Sequence, residues 1–205
     1  MQITIVGTGN MARGIATRAL AGGNDVRLVG TERAKAEALA GELGGSAKAG
    51  DRVEGEVVVL AVPYAAAADA VAQYSDDLAG KVVIDITNPV DFSTFSPLDV
   101  QAGSAAQEIA DAAPDDARIV KAFNTTFAGT LVEGQVSGQP LDVFLAGDDE
   151  DAKATVRQLV EGGGLRAVDA GPLARARELE ALGYLHMAVQ PALGTAFGSA
   201  VTIVP

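Results

Sequence analysis

Short apolar runs alternate with amphipathic stretches along most of the chain. The runs at roughly 2–7, 25–30, 57–63, 81–87, 118–124, 141–147 and 165–170 are rich in Val, Ile and Leu, which predicts strands. The stretches at roughly 10–22, 32–43, 64–78, 104–113, 149–161 and 174–200 predict helices. The runs 57–62 and 82–86 are continuously apolar, as is typical of strands covered on both faces. We therefore predict an α/β fold, a doubly wound (Rossmann) parallel sheet with a C-terminal helical segment.

The length and the last third of the chain suggest how it is organised. Its 205 residues suffice for a single dinucleotide-binding domain over 1–205. The segment at about 172–205 is Ala-rich and more apolar than a solvated terminal helix, although Pro191 and Gly194 interrupt it. We expect it to form a C-terminal helical extension that packs on the sheet or on a dimer partner. Asp149 is expected to stabilise the start of the predicted helix 149–161.

Composition and charge exclude several classes of function. The sequence has no Cys and one His, which excludes disulfides, iron–sulfur clusters and thiolate zinc sites and argues against any metal site. Its net charge of −12 argues against a nucleic-acid partner, because phosphate neutralisation needs basic patches. No apolar run approaches the roughly 18 residues of a membrane span, and no leader precedes Ile3. We expect a cytoplasmic protein without membrane partners.

A glycine turn follows the first apolar run directly. Gly7 permits a tight turn, Gly9 lets the backbone approach a pyrophosphate, and Ala12 stands where the usual pattern has its third small residue. Because this turn lies between a predicted strand and a predicted helix, it indicates a dinucleotide site at the start of the helix. The alternative is a glycine turn that binds no ligand.

The end of the second predicted strand bears on the choice of nucleotide. It ends at Gly30, where NAD-specific sites place an Asp or Glu for the ribose 2′-hydroxyl. Thr31 and Arg33, with Lys35 nearby, suit a 2′-phosphate instead, whereas Glu32 would repel one. NADP is favoured, and the alternative for Arg33 and Lys35 is an ordinary solvated helix face.

Several stretches, taken in order, resemble a known family. They are 7–14, 29–33, 61–63, 85–89, 119–125 and 168–175. Together they resemble the NADPH:coenzyme F420 oxidoreductases over nearly the whole chain. The last two, with 176–180, are equally similar to the cytosolic reductase domains of the six-transmembrane metalloreductases.

This resemblance implies an enzyme that transfers a hydride between NADP(H) and a deazaflavin, coenzyme F420, or another flavin-like acceptor. The nicotinamide would lie near 61–63, and the deazaflavin against the loop at 88–89, the 121–126 segment and the loop at 172–173. Archaeal members tend to have Ser-Arg-Arg where this chain has Thr31-Glu32-Arg33, so one phosphate ligand is missing. The residues that match cofactor-binding positions are Gly7, Thr8, Gly9, Asn10, Met11, Thr31, Arg33, Ala61, Val62, Pro63, Asn88, Pro89, Pro172 and Leu173.

Hydride transfer between stacked rings depends on proximity more than on acid–base residues, and the sequence shows no triad or carboxylate pair. Asn124 and Thr125 are the catalytic candidates, because they could bond the nicotinamide amide or the pyrimidine edge of the acceptor. Two alternatives remain. One is direct reduction of a small C=N, C=C or C=O substrate, which usually needs a positioned proton donor. The other is an NADP-binding regulatory module without turnover.

Other single residues allow two interpretations each. His186 forms a structural contact inside the terminal helix or lies beside the substrate ring. Asp85 is expected to anchor a loop rather than carry a proton. Lys121 is solvated at a strand end or offers a cation to the acidic tail of the deazaflavin. Phe123 is expected in the core.

Two further groups lie near the predicted site. Arg175 and Arg177, beside Glu178, form helix ion pairs or hold an anionic ligand. Phe92 and Phe95 lie in the long irregular stretch 88–103 and are expected to cap the site or fill a subunit contact.

Overall fold

An eight-stranded sheet forms the centre of the protein. The computed structural model describes residues 1–91 and 93–204. Its main strands are β1 (Gln2–Val6), β2 (Asp25–Val29), β3 (Ala47–Ala49), β4 (Val57–Leu60), β5 (Val82–Asp85), β6 (Arg118–Lys121), β7 (Asp142–Gly147) and β8 (Arg166–Gly171). They lie in the order β8-β7-β6-β5-β4-β1-β2-β3. The part from β3 to β6 therefore has the doubly wound order 3-2-1-4-5-6 of dinucleotide-binding folds.

Helices cover both faces of this sheet. They are α1 (Asn10–Ala21), α2 (Arg33–Leu43), α3 (Ala67–Leu78), α4 (Ala105–Ala112), α5 (Ala128–Glu133), α6 (Glu150–Gly162), α7 (Ala176–Ala188) and the short α8 (Gln190–Leu193). The helices α1, α2, α5 and α6 pack on the face that carries Ile3, Ile5 and Val57. The helices α3, α4 and α7 pack on the opposite face, which carries Val58 and Leu60. Both faces of β4 are thus buried, which explains its continuously apolar sequence.

Packing between α1 and α5 depends on Gly14 in α1. A Cβ at Gly14 would lie 2.8 Å from the Cβ of Leu131 and 2.9 Å from the carbonyl oxygen of Ala128. Gly14 therefore lets α1 approach α5 closely, and α5 itself was not predicted from the sequence. At the start of α6, the side chain of Asp149 accepts from the backbone N–H of Ala152 at 2.7 Å, which confirms the predicted helix start.

The sheet is parallel as predicted, except at one pair of strands. The strand β7 pairs with β6 in antiparallel orientation, Ala146 opposite Lys121, and β8 runs parallel to β7. The remaining pairs, from β3 to β6, are all parallel. An apolar run covered on both faces looks the same in either orientation, so the pattern of residues could not show this reversal.

Several predicted boundaries change, and most changes lie near the carboxyl edge of the sheet. The predicted strands 57–63 and 118–124 end at Leu60 and Lys121, and the residues that follow turn into loops. The predicted helix 174–200 is wrong beyond Ala188: a short helix follows, and Gly194 ends it with a φ of 65°. The sequence analysis also missed β3 and two small hairpins, Val90–Asp91 with Ser96–Pro97 and Gln135–Val136 with Gln139–Pro140.

Two residues expected near the site need separate mention. Phe92 lies outside the described residues, and Phe95 is partly exposed beside the first of these hairpins. In the part of the chain that the structure describes, no helix is both long enough and apolar enough to cross a membrane.

Candidate functional site

The candidate site begins where β1 and β4 end side by side. In doubly wound sheets ligands bind at this point, because the chain connections diverge to opposite faces and leave a crevice. The backbone N–H of Gly7 donates to the Val29 carbonyl at 2.7 Å, and that of Ala61 donates to the Val6 carbonyl at 2.8 Å. Gly7 has a φ of 124°, and a Cβ there would collide with the carbonyl oxygen of Ala61. A glycine is therefore required at this turn.

Gly9 has a different role from Gly7. It is the N-cap of α1, with no side chain capping the helix, and its φ of −82° is accessible to any residue. A Cβ built on Gly9 would meet nothing within 4 Å. Its missing side chain therefore leaves open space over the free N–H groups at the start of α1, where the helix dipole favours an anion. This is the arrangement that the glycine motif predicted for a pyrophosphate.

A cavity of about 760 Å³ opens beside this helix start. Its lining includes many residues that the sequence analysis selected: Gly9, Asn10, Met11, Ala61, Val62, Pro63, Asn88 and Asn124. Thr126 also lines it and belongs to the 121–126 segment expected beside the deazaflavin. The other lining residues were not predicted, namely Ile86, Thr87, Phe127, Ala128, Gly129, Met187, Ala196 and Phe197. Over the described residues, no titratable side chain lines this cavity.

Other residues selected from the sequence lie elsewhere. Leu173 is buried in the core beneath α3 and α4, and its backbone N–H donates to Asp148 at 2.9 Å. Pro89 faces a second cavity of about 430 Å³ that Arg177 and Tyr184 also line. Pro172 and Thr125 are not part of the lining of the first cavity. The structure does not bring these residues to the cavity, and their role in binding stays a prediction.

The expected 2′-phosphate region lies at the end of β2. A Cβ on Gly30 would be 3.0 Å from Cγ2 of Thr8, so Gly30 leaves space for the Thr8 side chain. Arg33 donates through Nε to Glu37 at 2.8 Å and through Nη1 to Asp51 at 2.6 Å. The hydrogen bond with Glu37, followed by that with Asp51, raises the pKa of Arg33.

The second cation of this region is also paired. Lys35 donates to Glu32 at 2.5 Å, so the carboxylate that argued against a 2′-phosphate turns toward a neighbouring cation. The side chains of both ion pairs are largely exposed, and such pairs are weak enough to exchange partners. A 2′-phosphate at Arg33 would therefore compete with two carboxylates that already bind its guanidinium.

Two polar atoms at the cavity have no hydrogen-bond partner among residues 1–91 and 93–204. They are Oγ1 of Thr87 and Oδ1 of Asn124. The amide nitrogen of Asn124 donates to Oδ1 of Asn88 at 3.0 Å and to the Leu179 carbonyl at 2.8 Å, so its orientation is fixed. Buried polar groups are nearly always paired, so these two atoms are exceptions among the residues that line the cavity.

A buried charge network lies behind Thr87. Lys121 and Asp85 are 0% exposed, and Glu180 is 6% exposed. The ammonium group of Lys121 donates to Asp85 at 2.7 Å, to the Thr87 carbonyl at 2.6 Å and to Glu180 at 2.7 Å. Lys121 is thus neither solvated nor available to a ligand, which corrects both interpretations made from the sequence. Asp85 anchors a loop as expected, because its Oδ1 accepts from the backbone N–H of Thr87 at 2.8 Å.

Glu180 connects the same network to two helices. It belongs to α7 and accepts from the backbone N–H groups of Ala105 and Ala106, at the start of α4, at 3.1 and 3.3 Å. Burial raises the pKa of Glu180, while the neighbouring Lys121 ammonium acts in the opposite direction. The network therefore fixes the end of β5, the end of β6 and the terminal helix relative to one another, and with them the residues that follow both strands.

His186 is a structural residue that holds a wall of the cavity. Its Nδ1 lies 3.1 Å from the Thr125 carbonyl, which can only accept, so Nδ1 carries the proton. Its Nε2 lies 2.8 Å from the Ser199 hydroxyl. Burial lowers the pKa of His186, which favours the neutral ring, and Nε2 of that ring can accept from the Ser199 hydroxyl. The buried ring joins the segment after β6 to the end of the chain.

Aromatic packing completes this wall. Phe127 stacks on His186 with ring centroids 4.2 Å apart and meets Phe197 edge to face at 5.1 Å. Phe197 has a φ of 63° and Phe123, buried in the core as expected, has a φ of 61°. Left-handed backbone at bulky residues is strained and is often found at binding sites. No local pattern in the sequence indicated that residues 196–199 fold back over α7.

Arg175 and Arg177 form exposed ion pairs with Glu178. Arg175 lies 3.7 Å and Arg177 lies 3.4 Å from its carboxylate. The pair of Arg175 has the i,i+3 spacing of the helix ion pairs that were one of the two sequence-based interpretations, whereas Arg177 is adjacent to Glu178 in the chain.

Comparisons with known proteins agree with this geometry. Residues 2–89 match the family model described as "NADP oxidoreductase coenzyme F420-dependent". The chain is 31% identical to the metalloreductase STEAP3 of Rattus norvegicus over 88% of its own length, but it spans only 36% of that protein. A structure from Arthrobacter sp. FB24, described as that of a candidate F420-dependent NADP reductase, superposes with a TM-score of 0.85 at 29% identity and 99% coverage of both chains. The F420-dependent NADP reductase of Methanothermobacter marburgensis is 31% identical over 88% of each chain, and this protein belongs to the same family, the F420-dependent NADP oxidoreductases.

Proposed function

We propose that this protein is an oxidoreductase that transfers a hydride between NADP(H) and a deazaflavin such as coenzyme F420, or another flavin-like acceptor. The observation that carries the proposal is the chemistry of the 760 Å³ cavity, whose described lining is apolar, amide and hydroxyl, with no titratable side chain. A carbonyl or imine reductase usually positions a proton donor beside its substrate. Transfer of a hydride between two bound rings needs mainly their proximity and orientation.

The residues around the crevice fit a dinucleotide. The free N–H groups at the start of α1, above Gly9, suit the two phosphates. Thr31 and Arg33 stand at the end of β2, where the 2′-phosphate of NADP would bind. Ala61, Val62 and Pro63 follow β4 directly and would support the nicotinamide ring, and NADPH supplies the hydride when it is bound.

Another part of the cavity lining suits a second flat ring. Phe127, Phe197 and Met187 line it, and their apolar surface can stack against a ring and exclude water from the transfer. Asn124 and Thr87 line the same cavity and carry unpartnered hydrogen-bonding atoms. Asn124 therefore remains a candidate contact for the reacting rings, whereas Thr125 acts through its carbonyl on His186.

The direct test follows the acceptor spectrum. The purified protein is mixed with NADPH and oxidised F420, and the deazaflavin absorbance is recorded, with FMN and FAD in parallel. Bleaching of any of the three supports the proposal. Reduction of small imines or carbonyl compounds alone would support the direct reductase, and saturable NADPH binding without any turnover would support the regulatory module.

The proposal also covers the domain organisation, the cellular location and the oligomeric state of the enzyme. We propose one domain over 1–205 that acts in the cytoplasm as a homodimer. Leu185 and Leu193 on the terminal helices are exposed, so this surface is the proposed subunit contact. Light scattering of the purified protein tests it: a mass twice that of the chain agrees with a dimer, and a monomer refutes it.

A further inference from the structure

The two unpartnered atoms at the cavity are held in place by bonds made through the rest of each residue. Thr87 is 3% exposed and Asn124 is 4% exposed. The backbone N–H of Thr87 donates to Asp85 at 2.8 Å, and its carbonyl accepts from Lys121 at 2.6 Å. The backbone carbonyl of Asn124 accepts from the amide of Asn88 at 2.7 Å. These bonds fix the main chain of both residues beside the cavity.

The orientation of the Asn124 amide follows from its neighbours. Its nitrogen donates both hydrogens, to Asn88 Oδ1 and to the Leu179 carbonyl. A reversed amide would set an oxygen against those two acceptors and lose both bonds. Two residues that line the cavity therefore hold an unpartnered acceptor, Oδ1 of Asn124, and an unpartnered hydroxyl, able to donate or accept, on Thr87.

We infer that Thr87 and Asn124 form a two-point anchor for the amide edge of a ring, with Asn124 Oδ1 accepting its N–H and the Thr87 hydroxyl donating to its C=O. The inference rests on the proposed function and names the residues that determine specificity within it. Both rings of the proposed reaction carry this chemistry, as the carboxamide of nicotinamide or as the imide edge of a flavin-like ring. A ring with a carboxylate edge, or without its N–H, offers Asn124 no donor and binds more weakly.

Two pairs of probes distinguish the two sources of the amide edge. NADP⁺ and its nicotinic acid analogue differ only in carboxamide against carboxylate. Lumiflavin and 3-methyllumiflavin differ only in the N3–H. The wild-type protein is expected to prefer the amide-bearing member of one pair by about tenfold, as is typical when a buried acceptor is left unpaired.

Thr87→Val and Asn124→Leu are expected to abolish that preference. Thr87→Val is also expected to keep or raise the thermal unfolding midpoint of the ligand-free protein, because it removes a buried hydroxyl that has no partner. The matched control is Thr130→Val, since the buried Thr130 hydroxyl donates to the Phe127 carbonyl at 2.9 Å and lies outside the cavity lining. That variant is expected to lower the midpoint and keep the preference between probes.

Each outcome decides the inference. Preference within the NADP⁺ pair assigns the anchor to nicotinamide, and preference within the lumiflavin pair assigns it to the acceptor. Binding without preference in either pair, or a preference that survives both substitutions, overturns the inference and leaves the proposed function intact. Absence of NADP⁺ and lumiflavin binding to the wild-type protein overturns the proposed function and the inference together.

Discussion

Replacing Lys121 by Met tests whether the buried charge network holds the candidate site. The ammonium group of Lys121 has three partners at 2.6–2.7 Å, and all three of its donors are used. Methionine replaces most of the apolar stem, so the main effect is the loss of charge. Asp85 and Glu180 then share a buried site without a cation. Breaking a buried ion pair in this way costs about 3–5 kcal/mol, a large part of the stability of an average domain.

Urea unfolding followed by circular dichroism measures this loss. Lys153→Met is the matched control, because the Lys153 stem is also buried while its partners Glu150 and Asp169 are largely or partly exposed. We expect that control to lose about 1 kcal/mol or less. Adding Glu180→Gln to Lys121→Met should restore part of the stability, since it removes one of the two uncompensated carboxylates.

The loss should also depend on pH. Burial raises the pKa of Glu180 above the ordinary 4.5, so the stability gained from its protonated form is present below pH 4.5 and is lost as the pH rises through the raised pKa. Without Lys121 this effect strengthens. The loss of unfolding free energy in Lys121→Met should therefore be smaller at low pH and should grow above pH 4.5. A deficit no larger than that of Lys153→Met, or one independent of pH, would refute this account of the network.

Three further substitutions test other parts of the site. His186→Gln should flatten the pH dependence of unfolding, because burial lowers the pKa of His186. The stability from its neutral ring is complete above pH 6.5 and is lost as the pH falls through the lowered pKa. An unchanged urea-unfolding profile below pH 6.5 would contradict this. Arg33→Ala should weaken NADPH binding about tenfold in calorimetry and leave NADH binding unchanged, since only NADPH carries the 2′-phosphate; equal losses would exclude that role. Gly7→Ala should lower the free energy of unfolding by at least about 1–3 kcal/mol, because its φ of 124° is strained for any other residue, and an unchanged value in urea would argue against that turn.

Local patterns sufficed to predict most strands of the sheet, most of its helices and the glycine turn that joins β1 to α1. The apolar runs of β1 and β4 and the glycine turn between β1 and α1 are properties of neighbouring residues. The antiparallel β7 was not predicted, because strand orientation depends on how the chain connects its elements in space. The short strand β3 escaped detection because three residues of mixed character carry little signal.

The chemistry around the cavity was predicted less completely than the fold. Lys121 looked like an exposed strand end because its two buried carboxylate partners come from β5 and α7, 36 and 59 residues away. Thr87 looked ordinary because the lack of a partner for its hydroxyl is a property of the folded structure. Phe197 reaches the cavity only because the chain reverses after Gly194, with backbone angles that its sequence does not favour.

The most direct test of the account is an NADPH titration of Gly9→Ala. Because a Cβ on Gly9 meets nothing within 4 Å, the substitution should lower the unfolding midpoint only by the modest preference of an N-cap position for Gly over Ala. Gly41→Ala is the control, since a Cβ on Gly41 in α2 also meets nothing within 4 Å. We predict that Gly9→Ala weakens NADPH binding by about tenfold or more, because its methyl group occupies the approach of the phosphates to α1, while Gly41→Ala binds normally. Equal affinity of both variants and the wild-type protein for NADPH would contradict the placement of the dinucleotide at this crevice.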